Sequence, residues 1–297
     1  MSEPSTTDLT DQPEGAEAAK DRAGLRWWKE LAFAAVVYVV YSVVRNQFGS
    51  AGGDPGPAFG HAEDVIALEK SLHLYIEPGL QQWYLGLPGQ GLIRAWNVYY
   101  GLAHFLVTFV AFVWMFRRNP ERHRLWRNTL AITTALAVIG FAAYPLMPPR
   151  LLDDPGQFGG CQVYAPDAAA AAPPGALSAP GCDRFGFVDT VAAHGGWISF
   201  GDEGMKEVSN QYAAMPSMHI GWSTWTAIVL VPLVRRRWAK VAVGLYPVIT
   251  LVCILLTANH FWIDGVGGIV CLAAGYGLAK ALTRRHPVTA EPALTSG

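Results

Sequence analysis

The sequence predicts an all-α integral membrane protein: six transmembrane helices, a helix lying in the interface and a long extracytoplasmic loop. Three observations predict it. Of 297 residues, 52% are hydrophobic and only 15% charged, where a soluble domain carries about 25% charged residues. Long apolar runs alternate with short charge-dense ones, as expected of a chain whose solvent is lipid. Most of the 22 lysines and arginines fall in four short clusters between or beside those runs. The net charge of −1 averages unlike regions and identifies no partner. Membrane lipids are the expected surroundings, and a nucleic-acid partner is not expected.

Residues 1–24 are rich in Glu, Asp, Ser, Thr and Ala without hydrophobic pattern and read as a disordered tail, as do residues 286–297. Residues 25–285 form the membrane domain. The first apolar run, Leu31–Val44, follows Arg26 and Lys29; no small-residue cleavage site follows it, so it reads as an uncleaved span. Further spans are expected at 96–116, 128–147, 215–234, 241–259 and 262–282, each near the ~20 residues that cross the hydrocarbon core. Helices are expected because lipid satisfies no backbone polar group.

The basic clusters orient the chain. They are Lys20, Arg22, Arg26 and Lys29; Arg117, Arg118, Arg122, Arg124 and Arg127; Arg235, Arg236, Arg237 and Lys240; and Lys280, Arg284 and Arg285. With six spans all four fall on one side, which the positive-inside trend makes the cytoplasm, with both termini. The chain is expected in the cell membrane as a multi-pass protein. Arg45, Lys70, Arg94, Arg150, Arg184 and Lys206 lie against that trend, which makes them candidates for anion binding.

Two outer segments are long. In 49–95, His61–Leu74 has helix-like apolar spacing and is expected to lie in the interface, with Glu69 and Lys70 on or near its polar side. In the loop 150–211, the Ala/Pro-rich stretch Ala165–Gly181 is expected to be irregular, and Phe185–Lys206 to pack over the membrane surface. Cys161 and Cys182 sit in this loop, and facing an oxidising compartment they form a candidate disulfide, the alternative being two free thiols. Cys253 and Cys271 lie in apolar runs and read as small buried hydrophobes.

Ionisable residues at the edge of lipid are functional suspects. Met147-Pro148-Pro149-Arg150 closes the third span, with the prolines ending the helix and Arg150 projecting a fixed cation; alone, an interfacial snorkelling arginine is the better reading of it. Met215-Pro216-Ser217-Met218-His219 opens the fourth. Pro216 suits a first helical turn, whose free N–H groups with Ser217 make an anion site; alone, His219 reads as a structural residue. His260 and Asp264, at the start of the sixth span, are four apart, so a helix sets the carboxylate beside the imidazole, where it can fix the tautomer. His219 and His260 are separated by two crossings, so both return to the outer face, and an outer loop joins Arg150 to His219. Two histidines, a carboxylate, a serine and an arginine on one side suit phosphoryl transfer.

At these residues the chain resembles the type 2 phosphatidic acid phosphatase superfamily. That family's signature is a basic motif ending in Arg-Pro, then Pro-Ser-Gly-His, then Ser-Arg-x5-His-x3-Asp. Pro216-Ser217-Met218-His219 resembles the second part with Met218 in place of Gly, His260 to Asp264 resembles the end of the third, and Met147–Arg150 stands loosely for the first. The Ser-Arg pair would fall at Cys253 and Ile254, so that arginine is missing. This departure is similar to the branch containing inositol phosphorylceramide synthases, as are Asn210–Ala214 and Ala258–Phe261. The likeness covers about residues 30–283.

The resemblance implies that His260 attacks phosphorus to form a phosphohistidine, that Asp264 orients it, and that His219 protonates the leaving alkoxide. Arg150 and Ser217 would hold the phosphate oxygens, and Arg45 is a candidate to replace the missing arginine, with a snorkelling role the plainer reading. Glu69 and His104 could touch the head group or acceptor, with local packing the plainer reading of both. The implied substrate is a lipid-linked phosphate, with a phospho-inositol-type head group one candidate for transfer. No cofactor or metal is implied. The rival class is a transporter or proton relay using the His/Asp cluster. A haem held by His219 and His260, and a serine protease built on Ser217 and His260, are weaker rivals.

Overall fold

A computed structural model describes residues 25–47, 54–88, 91–195 and 210–285; the tails 1–24 and 286–297 lie outside the described residues. Element order is α1 (Trp27–Gln47), α2 (Gly56–Ser71), α3 (Glu77–Leu85), α4 (Gly91–Arg118), α5 (Pro120–Ala143), a 3-10 turn (Pro149–Leu151), α6 (Cys161–Tyr164), α7 (Pro166–Ala171), α8 (Thr190–His194), α9 (Met218–Leu230), α10 (Arg237–Leu256) and α11 (Trp262–Arg285). Among the described residues four helices, α4, α5, α10 and α11, are long and apolar enough to cross a membrane. They carry outward-facing side chains such as Phe109, Ile139, Val248 and Val270, as a lipid-facing surface requires.

The short helix α9 is the hub. It packs on α4, α5, α10 and α11, and it buries residues all around its circumference, from Met218 to Leu230. A helix that is apolar all round has to be enclosed. It is shorter than the expected 215–234, and Pro216 stands outside it. Ser217 is the N-cap with extended backbone (φ −68°, ψ 110°), and helical geometry begins at Met218.

Close approach of α11 to α9 depends on Gly268. A Cβ there would strike the Ser217 carbonyl and come within 3.1 Å of the Gly221 nitrogen. Small residues admit this backbone-to-backbone packing. At the other end of the bundle, Glu30 of α1 meets Arg127 of α5 at 2.7 Å and His123 at 3.0 Å. The first turns of α1 and α5 therefore sit side by side.

Three expectations are corrected. The third span does not end at Pro148-Pro149. It ends at Ala143, because Tyr144 precedes Pro145 and is pushed out of helical geometry (φ −141°, ψ 71°). The interfacial helix begins earlier, at Gly56, and Glu69 is on its buried face with Ala62 and Val65, fully enclosed, while Lys70 is exposed. The Ala165–Gly181 stretch is not wholly irregular, since Pro166–Ala171 is a helical turn and a half opened by proline at its first position.

The segment between α5 and α9 is fastened by side chains. Cys161 and Cys182 are joined in a disulfide. The buried Asp153 carboxylate accepts the N–H groups of Phe185, Gly186 and Phe187. Gln81 of α3 pairs with both the N–H and the carbonyl of Val188, each at 3.0 Å. Asn97 of α4 donates to the carbonyl of Thr190 at 2.8 Å. These bonds bring Asp189 over the helix ends.

Candidate active site

Three chain segments meet through their backbones. The Arg150 N–H donates to the Ala258 carbonyl at 2.8 Å, and the Ser217 N–H to the Asp264 carbonyl at 2.8 Å. The Leu146 N–H donates to the Tyr212 carbonyl at 2.8 Å. The segments that carry Arg150, Ser217 and His260 are thus tied into one frame before any side chain is considered.

His260 lies just ahead of α11, and Asp264 in its first turn. The His260 Nδ1 is 3.2 Å from Asp264 Oδ2, and the same oxygen accepts the Phe261 N–H at 3.0 Å. The i, i+4 spacing therefore does what the sequence suggested, with Asp264 also capping its own helix. With Nδ1 donating to the carboxylate, the lone pair of the ring is on Nε2. Burial, with the Arg150 charge behind it, lowers the His260 pKa, which keeps the ring neutral.

Arg150 is held on two sides: Nη1 donates to Asp189 Oδ2 at 2.6 Å and Nη2 to Gln211 Oε1 at 2.9 Å. Asp189 is the N-cap of α8, its Oδ1 accepting from Val191 and Ala192. Among the described residues no group hydrogen-bonds Arg150 Nε, Ser217 Oγ or His260 Nε2, though all three atoms are buried. Buried polar atoms are nearly always paired, so three such atoms in one frame mark a place prepared for a polar group.

His219 lies one residue inside α9. Its Nε2 is 3.2 Å from the Tyr100 carbonyl, and its ring stacks on Tyr100 at 4.2 Å. The rings of His219 and His260 are 5.4 Å apart, and His104 lies 4.1 Å from His219. A cavity of about 200 Å³ is bordered by Arg150, Asp189, Gln211, His104, His219 and His260.

The expected residues are therefore not all placed alike. Arg150, His219 and His260 border the cavity. Asp264 and Ser217 are fully buried behind it. His104 is at the cavity, whereas Glu69 is beneath the start of α11, where its Oε1 accepts the Ile263 N–H at 3.4 Å. Arg45 falls in the last turn of α1, and its side chain lies outside the described residues. Asp189 went unrecognised in the sequence. Its N-cap pattern before Thr190 was readable, but nothing local pairs it with Arg150, 39 residues away. Among the described residues no three His, Cys, Asp or Glu side chains gather as ligands for one ion.

The fold is all-helical, with several apolar helices of membrane-spanning length, and the site sets a buried His/Asp pair beside an arginine. The family model of the PAP2 superfamily matches residues 63–278, so the chain belongs to that superfamily. This supports phosphatase or phosphotransferase activity on lipid-like phosphates. No curated protein and no solved structure matches the chain.

Proposed function

We propose that this protein is a membrane-embedded lipid phosphatase or phosphotransferase that works through a phosphohistidine on a lipid-linked phosphate. The observation that carries the reading is the set of three buried, unpartnered atoms, Arg150 Nε, Ser217 Oγ and His260 Nε2. Two can donate to phosphate oxygens and the third is a lone pair aimed by Asp264.

The steps follow from those atoms. Nε2 of His260 attacks phosphorus, and the bond from phosphorus to the lipid oxygen breaks. The leaving alkoxide takes a proton from His219, which exchanges its bond to the Tyr100 carbonyl for one to that oxygen. Arg150 and Ser217 offset the charge on the other phosphate oxygens. A hydroxyl then enters, gives its proton back to His219, and attacks phosphorus as the P–N bond breaks. If the hydroxyl belongs to water the net reaction is hydrolysis. If it belongs to a lipid or polyol alcohol, the phosphoryl group, with the head group still esterified to it, is transferred to that alcohol. The polar rim of Asn210, Gln211 and Asp189 supports a hydroxylated head group, and phospho-inositol transfer is the specific form we propose.

In this reading six spans place both termini in the cytoplasm and the site on the outer face. The four basic clusters support that orientation. The decisive experiment incubates purified protein with a panel of phosphatidic acid, phosphatidylinositol and polyprenyl phosphates, with and without inositol-type acceptors, and assays for acid-labile phosphohistidine after quenching. Label on His260 and release of phosphate or transfer of head group support the reading. Turnover should survive chelators and be inhibited by vanadate. Turnover lost on chelation and restored by a divalent ion would exclude this mechanism.

A further inference from the structure

The first turn of α11 is capped by carboxylates from two other helices. Every α-helix begins with N–H groups that lack partners within the helix. Here the Phe261 N–H goes to Asp264 Oδ2. The Trp262 N–H goes to Glu77 Oε1 at 3.1 Å, and the Ile263 N–H to Glu69 Oε1 at 3.4 Å. Glu69 comes from α2 and Glu77 from α3, and both are fully buried. The amides they hold lie between His260 and Asp264 in the chain.

Their remaining oxygens, Glu69 Oε2 and Glu77 Oε2, are buried and, as carboxylate acceptors, find no donor among the described residues. The two carboxyls hold adjacent amides, Trp262 and Ile263, and are thereby brought side by side. Two full charges so placed, with Asp264 behind them, would repel in a poorly solvated site. One proton between them turns two orphan acceptors into a donor and an acceptor. The helix N-terminus then balances the single charge that is left.

We propose that Glu69 and Glu77 share one proton and together act as positioning residues, fixing the turn of α11 that aims His260 and Asp264. The inference rests on the His260 site proposed above. It predicts an alkaline limit on site integrity set by groups that never touch substrate. Burial first, and the neighbouring carboxylate second, push the Glu69 pKa up to about 9, and burial raises that of Glu77 as well. The titratable groups facing the pair are Asp264 from α11 and Tyr75 from the α2–α3 connection. Lys70 covers the Tyr75 ring at 5.1 Å. The folded pair holds its proton where unfolded glutamates have lost theirs. Stability therefore falls as pH rises from the ordinary glutamate range towards 9.

The test uses the full-length protein in detergent. Thermal unfolding is followed against pH, with and without vanadate, for wild type, Glu69→Gln, Glu77→Gln, Glu69→Ala and His260→Ala. Comparison at each pH cancels the ionisation of vanadate itself. The wild-type Tm should fall across this window, and the vanadate-induced rise in Tm should fade with it. Each glutamine variant keeps an acceptor but cannot ionise, so its Tm slope should flatten and its vanadate response persist to higher pH. Glu69→Ala should lose the response at all pH values. Should Glu69→Gln not fold, Glu77→Gln carries the same test from the other helix. Glutamine variants with the wild-type slope and the wild-type fading would overturn the proposal. A vanadate response retained by His260→Ala would instead overturn the histidine site, while the Tm slopes would still decide the carboxyl pair.

Discussion

Asp189 and Arg150, 39 residues apart, are joined at 2.6 Å from Oδ2 to Nη1, and both side chains are largely buried. The carboxylate is itself fixed, because its other oxygen caps α8. The segment between α5 and α9 thus supplies the counter-charge that holds a guanidinium at the cavity.

Removing that counter-charge should expose the cost of a buried, unpaired cation. Asp189→Ala is expected to destabilise by about 3–5 kcal/mol, with Asp189→Asn milder because it keeps an acceptor and a helix cap. Thermal unfolding in detergent reads the difference. Equal stability of all three proteins would show that the pair contributes nothing.

Arg150→Ala should slow turnover of a lipid phosphate by about a hundredfold or more, the usual loss for one oriented donor in a water-poor site. Arg150→Lys should lose less, since an ammonium keeps the charge but not the planar fork. Rates measured at matched expression decide it, and near-equal rates would reduce Arg150 to an interfacial anchor.

His260→Ala should abolish turnover and phosphohistidine while leaving the protein folded. Asp264→Asn should be less complete for the chemistry, because the imidazole remains. A folded His260→Ala protein with substantial activity would remove the nucleophile from the scheme.

Gly268→Ala should disturb the site without touching it. Its Cβ would strike the Ser217 carbonyl, forcing α11 from α9 and straining the Ser217-to-Asp264 backbone bond. Loss of both Tm and vanadate binding is expected, whereas Gly277→Ala, where the space is open, should behave as wild type. Similar behaviour of the two variants would mean that the helices separate at no cost.

Reporters placed at 117–127 and 235–240 should read as cytoplasmic, and one at 165–181 as extracytoplasmic. The expectation follows from the positive-inside trend applied to the basic clusters. A cytoplasmic signal from 165–181 would reverse both the topology and the side on which substrate is met.

The sequence by itself determined the membrane class, the helical content and the pairing of His260 with Asp264. Apolar run length and i, i+4 spacing are local quantities, and lipid enforces helices wherever such runs occur. It also pointed to Arg150, Ser217 and His219, because polar residues at the edge of apolar runs stand out against their surroundings. Only the tertiary structure decided what faces what. Glu69 looked like the polar side of an interfacial helix, yet it is buried, because its partner is a helix start almost 200 residues later rather than water. Asp189 was invisible as the partner of Arg150, since Gln81, Asn97 and Asp153 have to fasten the loop before the two can meet. The helix expected to run on to the paired prolines ends at Ala143, because Pro145 acts first. Local pattern sets helices and neighbours one turn apart; contacts between distant segments depend on packing and loop anchorage, which no window of sequence contains.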